Sequence, residues 1–153
     1  MDGQTGTVSC NTSCQLNLQA CTRVQAVRLS LGEEHSCSVS AVNNLTGAVH
    51  CWGSNAFAQL SAIVPFIDEP SVISSAGQTL SVASGGDHVC ALNAAGEVRC
   101  WGANGSGQLG RGPGGMTQSR FVEQVMGLGG VAVSVGTGVL RRVARRETVA
   151  APR

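Results

Sequence analysis

At 153 residues with a net charge of +1, the chain is the length of one domain, and only 12% of it is charged. Glycine, alanine, valine and serine are abundant, while tyrosine and lysine are absent. Short valine-rich segments between glycines exclude a helical bundle, which needs more leucine, glutamate and lysine. No apolar run approaches membrane-spanning length. Seven cysteines point to an oxidising compartment, yet Met1-Asp2-Gly3-Gln4 opens a polar stretch with no visible signal peptide. The two signals are reconciled if the chain is a fragment of a secreted protein and Met1 is not its natural start.

Residues 1–23 differ from the rest, with Cys10, Cys14 and Cys21 spaced among Thr, Ser, Asn and Gln. Three cysteines cannot all pair among themselves. A metal site is the rival reading, weakened because no fourth ligand lies nearby and no Cys-x2-Cys pair is present. The segment resembles the small cysteine-rich modules of secreted bacterial proteins.

Residues 24–31, VQAVRLSL, alternate and read as a strand. His35 to Leu60 then reads HSCSVSAVNNLTGAVHCWGSNAFAQL, and His88 to Gly110 repeats it as HVCALNAAGEVRCWGANGSGQLG. Each copy has His-x-Cys, a loop ending in Gly-x-Val-x-Cys-Trp-Gly, then Asn and Gln-Leu, at a period of about 50 residues. In the second copy the loop Ala94-Ala95-Gly96 closes a hairpin, with Gly96 at a position that favours positive φ. Counting outward places Leu92 opposite Val98 and Cys90 opposite Cys100, at non-hydrogen-bonded sites where Cα atoms lie about 4.5 Å apart. Anchoring the first copy on Gly47 places Val39 opposite Val49 and Cys37 opposite Cys51. Bridges Cys37–Cys51 and Cys90–Cys100 are therefore expected, each contributing roughly 3 kcal/mol by loop entropy. The alternative is buried free thiols, which pack as small hydrophobes.

Residues 54–72 are a connecting stretch with Pro65 and Pro70, and Thr79-Leu80-Ser81-Val82 restarts the pattern. RGPGGMTQSR is loop by composition, and Phe121–Val125 reads as a strand. Gly130–Gly136 opens a third repeat, with Gly136 in the place of Gly85 and Val139 where His is expected. There the pattern stops. The last thirteen residues carry Arg141, Arg142, Arg145, Arg146 and Arg153. They read either as a basic tail for nucleic acid or a membrane surface, or as a truncated or frameshifted end. The break inside a motif favours the second, and no aromatic residue supports single-strand binding.

No catalytic constellation emerges. His35 follows Glu34 and His88 follows Asp87, but neighbours on a strand point to opposite faces and make poor dyads. The same objection weakens a zinc site from His35, Cys37, His50 and Cys51, and Arg99 replaces His50 in the second copy. Gly127–Ala132 matches a dinucleotide fingerprint loosely but precedes a strand rather than opening a helix. There is no nucleophile elbow and, without lysine, no P-loop. Trp52 and Trp101 recur at a fixed place, as packing residues do. Asn11, Asn44 and Asn104 head glycosylation sequons of a kind that arise by chance.

Both copies resemble the repeats of the regulator of chromosome condensation family, whose blades form a seven-bladed β-propeller. The residues that carry the resemblance are Gly32, His35, Trp52, Gly53, Asn55, Gln59 and Leu60 in the first copy. In the second they are Gly85, His88, Gly96, Trp101, Gly102, Asn104, Gln108, Leu109 and Gly110. The first copy departs where Ala58 and Ser61 replace two glycines and where its loop is longer. The resemblance implies an all-β fold of β-propeller blades, two repeats and the start of a third in an incomplete ring. The expected organisation is a cysteine-rich module at 1–23, repeats at about 24–76 and 77–126, a partial repeat at 127–138, and an unstructured Arg-rich tail at 139–153.

The function expected is a non-enzymatic binding scaffold that presents loops to a protein or cell-surface ligand outside the cell. The loops are Ala41–Gly47, Ser61–Pro70 and Arg111–Arg120. Open blade faces are expected to self-associate. No cofactor, metal, nucleic acid or membrane span is expected. The alternative is nucleotide exchange on a small GTPase, as in the family's founding member.

Overall fold

The computed structural model describes residues 9–10, 16–17, 25–41, 46–112, 116–139 and 142–146. Near the N-terminus β1 (Ser9–Cys10) and β2 (Leu16–Asn17) form a short antiparallel pair. The pairing of Cys10, Cys14 and Cys21 lies outside the described residues.

The rest is antiparallel sheet in repeated units. The first blade is β3 (Gln25–Leu31), β4 (His35–Ala41), β5 (Gly47–Ser54) and β6 (Phe66–Val72), paired in that order. The second is β7 (Thr79–Ser84), β8 (His88–Asn93), β9 (Val98–Ala103) and β10 (Gln118–Gln124). A short 3-10 turn, Ser74–Ala76, leads from one to the other, and the pair Gly47↔Thr79 joins their sheets. A third unit begins with β11 (Ala132–Thr137) and β12 (Arg142–Arg146).

The opening hairpins of all three units share one register. Leu29↔Ser38 and Ser30↔Cys37 in the first correspond to Val82↔Ala91 and Ala83↔Cys90 in the second, and to Val135↔Ala144 and Gly136↔Val143 in the third. Each hairpin has an irregularity at the same place, beside Ala26, Thr79 and Ala132. The outer strands repeat as well. Asp68, Glu69 and Pro70 in β6, and Arg120, Phe121 and Val122 in β10, form a bulge opposite Trp52 and Trp101 respectively. Pro70 is tolerated there because β6 is an edge strand and the bulge asks for no ladder bond.

Period-two alternation decides which side chains enter the core. On β4 and β5 the buried apolar set is Cys37, Val39, Val49 and Cys51, and it packs against residues of β7 and β8. Leu60, Ile73, Ala76, Val82, Val89, Ala91 and Trp101 complete that layer between the first two blades. A second layer, Cys90, Leu92, Val98, Cys100, Leu109, Val125 and Ala132, lies between the second blade and the third unit. The second blade is thus packed on both faces, whereas the outer face of the first leaves Leu29 at 62% and Leu31 at 67% exposure.

Two expectations for the C-terminal part are corrected. The tail is not unstructured throughout, because Arg142–Arg146 pair with β11. Backbone pairing satisfies the amides and carbonyls of β11 without requiring the motif side chains that vanish there. In addition, the glycine equivalent to Gly85 is Gly138, not Gly136. The Gly138 carbonyl lies 2.7 Å from where a Cβ on Gly85 would stand, as the Gly85 carbonyl does beside Gly32. Gly32, Gly85 and Gly138 are equally spaced in sequence, so the place of the motif histidine falls on Arg141, outside the described residues.

Candidate functional site

The motif residues meet at the junctions between blades. Gly32 and Gly85 lie under the rings of His35 and His88, and a Cβ on either would stand 2.1–2.2 Å from the imidazole Cε1. Glycine is therefore dictated by close approach. In each repeat the glycine amide donates to the histidine carbonyl at 2.8 Å. His35 is 3% exposed and its ring nitrogens have no hydrogen-bond partner. Burial, and secondarily the neighbouring His88, lower its pKa to about 4. Burial thus favours the neutral ring, which packs against the glycine at this junction.

Trp101 is fully buried, and its Nε1 donates to the Gln59 carbonyl of the preceding blade at 2.7 Å. Trp52, at the same place in the first blade, is half-buried. Gly53 and Gly102, which follow the tryptophans, have φ of 106° and 102°. The residue after each sends its amide to the carbonyl of the acid before the motif histidine: Ser54 to Glu34 and Ala103 to Asp87, both at 2.8 Å.

The Asn…Gln-Leu segment is a hydrogen-bonded turn in both copies. Asn55 Oδ1 accepts from the Leu60 amide at 2.8 Å, and Asn104 Oδ1 from the Leu109 amide at 3.0 Å. Their Nδ2 groups donate to Val64 and Met116 carbonyls, tying down the loop beyond. Gln59 and Gln108 accept from the Phe57 and Ser106 amides at 2.8 Å. Asn104, only 9% exposed and engaged at both ends, is no glycosylation acceptor. Gly110, at φ 60°, ends the turn, and Gly96, at φ 76°, closes the second hairpin.

Disulfides join Cys37 to Cys51 and Cys90 to Cys100, each with Cα atoms 4.1 Å apart, the close spacing of a non-hydrogen-bonded cross-strand pair. All four cysteines are fully buried. The bridges consume the thiols of the zinc alternative, and among the described residues no group of three or more His, Cys, Asp or Glu is placed to hold a metal. No helix among them is long and apolar enough to cross a membrane.

A cleft of about 510 Å³ is lined by Gly32, Glu33, Gly85, Gly86, Gly138 and Val139. Beside it Asp87 has a raised pKa, through burial first and then the charges of Glu33 and Glu34. On the outer rim, exposed apolar residues cluster on two of the three loops singled out in the sequence. Ile63 is 85% exposed, and Val64, Phe66 and Met116 are also open. Ser61 links these loops by donating to the Arg120 carbonyl at 2.6 Å. The sequence motif did not reveal this rim, because its residues differ between the copies.

Units of four antiparallel strands, packed face to face through one repeated set of buried residues, define β-propeller blades. Residues 80–108 match the family model for the regulator of chromosome condensation (RCC1) repeat. The second blade thus carries one repeat of that family. Comparison with curated protein sequences gives no match. Among solved structures it is similar to human WBSCR16, at 20% identity over 81% of this chain and 31% of that one, with a TM-score of 0.63. It is similar to Prp20p from Saccharomyces cerevisiae, at 15% identity over 88% of this chain and 34% of that one, with a TM-score of 0.64. It is also similar to the CRINKLY ectodomain of the Arabidopsis thaliana receptor kinase ACR4, at 18% identity over 82% and 37%, with a TM-score of 0.51. The chain thus spans about a third of the length of these propellers.

Proposed function

We propose that the chain is a non-enzymatic binding segment of a disulfide-bonded propeller working outside the reducing cytosol, with a protein partner meeting its outer rim. The observation that carries this reading is the division of labour among side chains. The repeat-motif residues are buried or engaged within the blades, while Ile63, Val64, Phe66 and Met116 are left exposed on the connector and loop that the repeat leaves variable. The paired, fully buried cysteines support the setting. The proposed organisation remains blades at about 24–76 and 77–126 followed by a partial unit, with a cysteine-rich module before them.

A second reading, regulation of a small GTPase, draws on Prp20p, whose structure was described together with its binding properties to Gsp1p and histones. The test separates the two. A photoreactive residue at Ile63 or Met116 of the oxidised chain is expected to cross-link one protein partner, competed by unmodified chain. The same residue at Ala95, on the hairpin loop, is expected not to. Equal labelling from all three sites, or accelerated GDP release from a small GTPase, overturns the scaffold reading.

A further inference from the structure

The outer rim carries opposite charges at equivalent places. Register sets Asp68 and Glu69 of the β6 bulge where Arg120 and Phe121 stand in the β10 bulge. Asp68, Glu69 and Arg120 are all exposed, and none forms an ion pair among the described residues. Glu123, the acid of β10, is already engaged by Arg111 and Ser119. The Arg120 guanidinium instead lies 5.2 Å from the centroid of the Phe121 ring. A guanidinium stacked on a ring keeps its N–H groups for a carboxylate.

Apolar groups accompany both charges. On the second blade Met116 and Phe121, both exposed, line an open cavity of about 470 Å³ together with Ala58 of the first. On the first blade Ile63 and Phe66 are exposed beside the acidic bulge. The Ser61 hydroxyl, bonded to the Arg120 carbonyl, holds the connector that leads into β6 against β10. The two bulges thus flank one surface, acidic at one end and basic at the other, with exposed apolar side chains at both. A surface of this kind marks an interaction site.

Charge selects the occupant. It must bring a carboxylate to Arg120, a cation to Asp68 and Glu69, and apolar side chains to the rest. A second copy of the chain, turned by a two-fold axis that passes between the bulges, brings all three at once. The net charge of +1 adds little repulsion between copies. We propose that the rim pairs with the rim of a second copy, each Arg120 meeting Asp68 and Glu69 of the other and the exposed apolar groups enclosed between them. This inference rests on the rim being the contact surface proposed above and names its occupant.

The test is sedimentation velocity of the full oxidised chain over a concentration series. Wild type is expected to pass from monomer to dimer and no further, because a two-fold contact closes. Arg120→Glu, and separately Asp68→Arg/Glu69→Arg, should each weaken the dimer by about tenfold or more, since like charges then face each other. Mixing these two variants should restore a dimer, and so should combining all three substitutions in one chain. Misfolded variants could do neither. A dimer indifferent to both charge reversals but lost in Leu29→Ser/Leu31→Ser would place the contact on the outer face of the first blade and overturn the proposal. A chain that stays monomeric throughout the series overturns it too. If a photoreactive residue at Ile63 or Met116 then still labels a different protein, the rim reading stands and only its occupant is wrong. If neither site labels any protein, the rim reading falls as well.

Discussion

Trp52 and Trp101 occupy the same place in consecutive repeats, after a bridged cysteine, before a glycine of positive φ and opposite a bulge in the outer strand. Yet Trp101 is fully buried and hydrogen-bonded to Gln59, while Trp52 is half-buried. The difference lies in the neighbour rather than in the motif. The second blade has the first packed against its tryptophan face, and the first has nothing equivalent among the described residues. The faces differ as well: Val89 and Ala91 become Ser36 and Ser38, and Ser40 Oγ lies 3.2 Å from His50 Nδ1. A repeat motif thus specifies what a blade needs from a neighbour, and burial is realised only where one exists.

The largest expected effect tests that comparison directly. Trp101→Ala should cost about 3–5 kcal/mol, the usual penalty for emptying a buried aromatic site. Trp52→Ala should cost clearly less, about 1–2 kcal/mol, because the side chain has less contact to lose. Urea unfolding of the oxidised protein measures both. Equal penalties would mean that the outer face of the first blade is covered in solution.

The disulfides come next. Cys37–Cys51 and Cys90–Cys100 have sequence separations of 14 and 10. Loop entropy then gives about 3 kcal/mol for each, differing by only about 0.3 kcal/mol. Replacing each pair by alanine compares the two core layers at nearly constant chain entropy. A Cys90/Cys100 variant far less damaging than the Cys37/Cys51 one would show that β11 does not seal the second layer.

His35 makes stability depend on pH. Its folded-state value of about 4 lies below the ordinary 6.5, so the unfolded chain binds more protons between these limits. Stability from this residue is full above pH 6.5 and falls as the pH is lowered, by roughly 3 kcal/mol at pH 4. Asp87, with its raised pKa, works in the opposite sense: the folded state favours its protonated form, so its contribution declines as pH rises above the ordinary carboxylate range. Unfolding followed from pH 7 to pH 4 should show the loss in wild type, and a smaller one in His35→Gln. Unchanged slopes would place the titrating group elsewhere.

The hairpins were legible in the sequence because their information is local. A glycine at the turn fixes the register, and the register brings Cys37 to Cys51 and Cys90 to Cys100. The junction glycines were harder, since only contact between repeats tells Gly138 from Gly136. Strand β12 was missed because its evidence is a backbone register shared with β4 and β8, while its side chains abandon the pattern. The exposed rim was missed in detail because nothing repeats there. Sequence reading found what both repeats keep and lost what is carried by backbone alone or by one copy.

The smallest effect concerns two residues flagged by their departure from the repeat. Ala58 and Ser61 have φ of 64° and 54°, against 75° and 60° for Gly107 and Gly110 at the same places. A left-handed backbone costs a residue with a Cβ about 1 kcal/mol, part of which glycine returns through its freer unfolded state. Ala58→Gly should therefore stabilise the chain by roughly 0.5 kcal/mol. Ser61→Gly should gain less, because it forfeits the hydroxyl bond to the Arg120 carbonyl that ties the first blade to the second. Gly107→Ala should cost about 1 kcal/mol from backbone conformation alone, as nothing lies within 4 Å of the added Cβ. If Ser61→Gly proved as stabilising as Ala58→Gly, the Ser61 hydroxyl would contribute nothing to the junction.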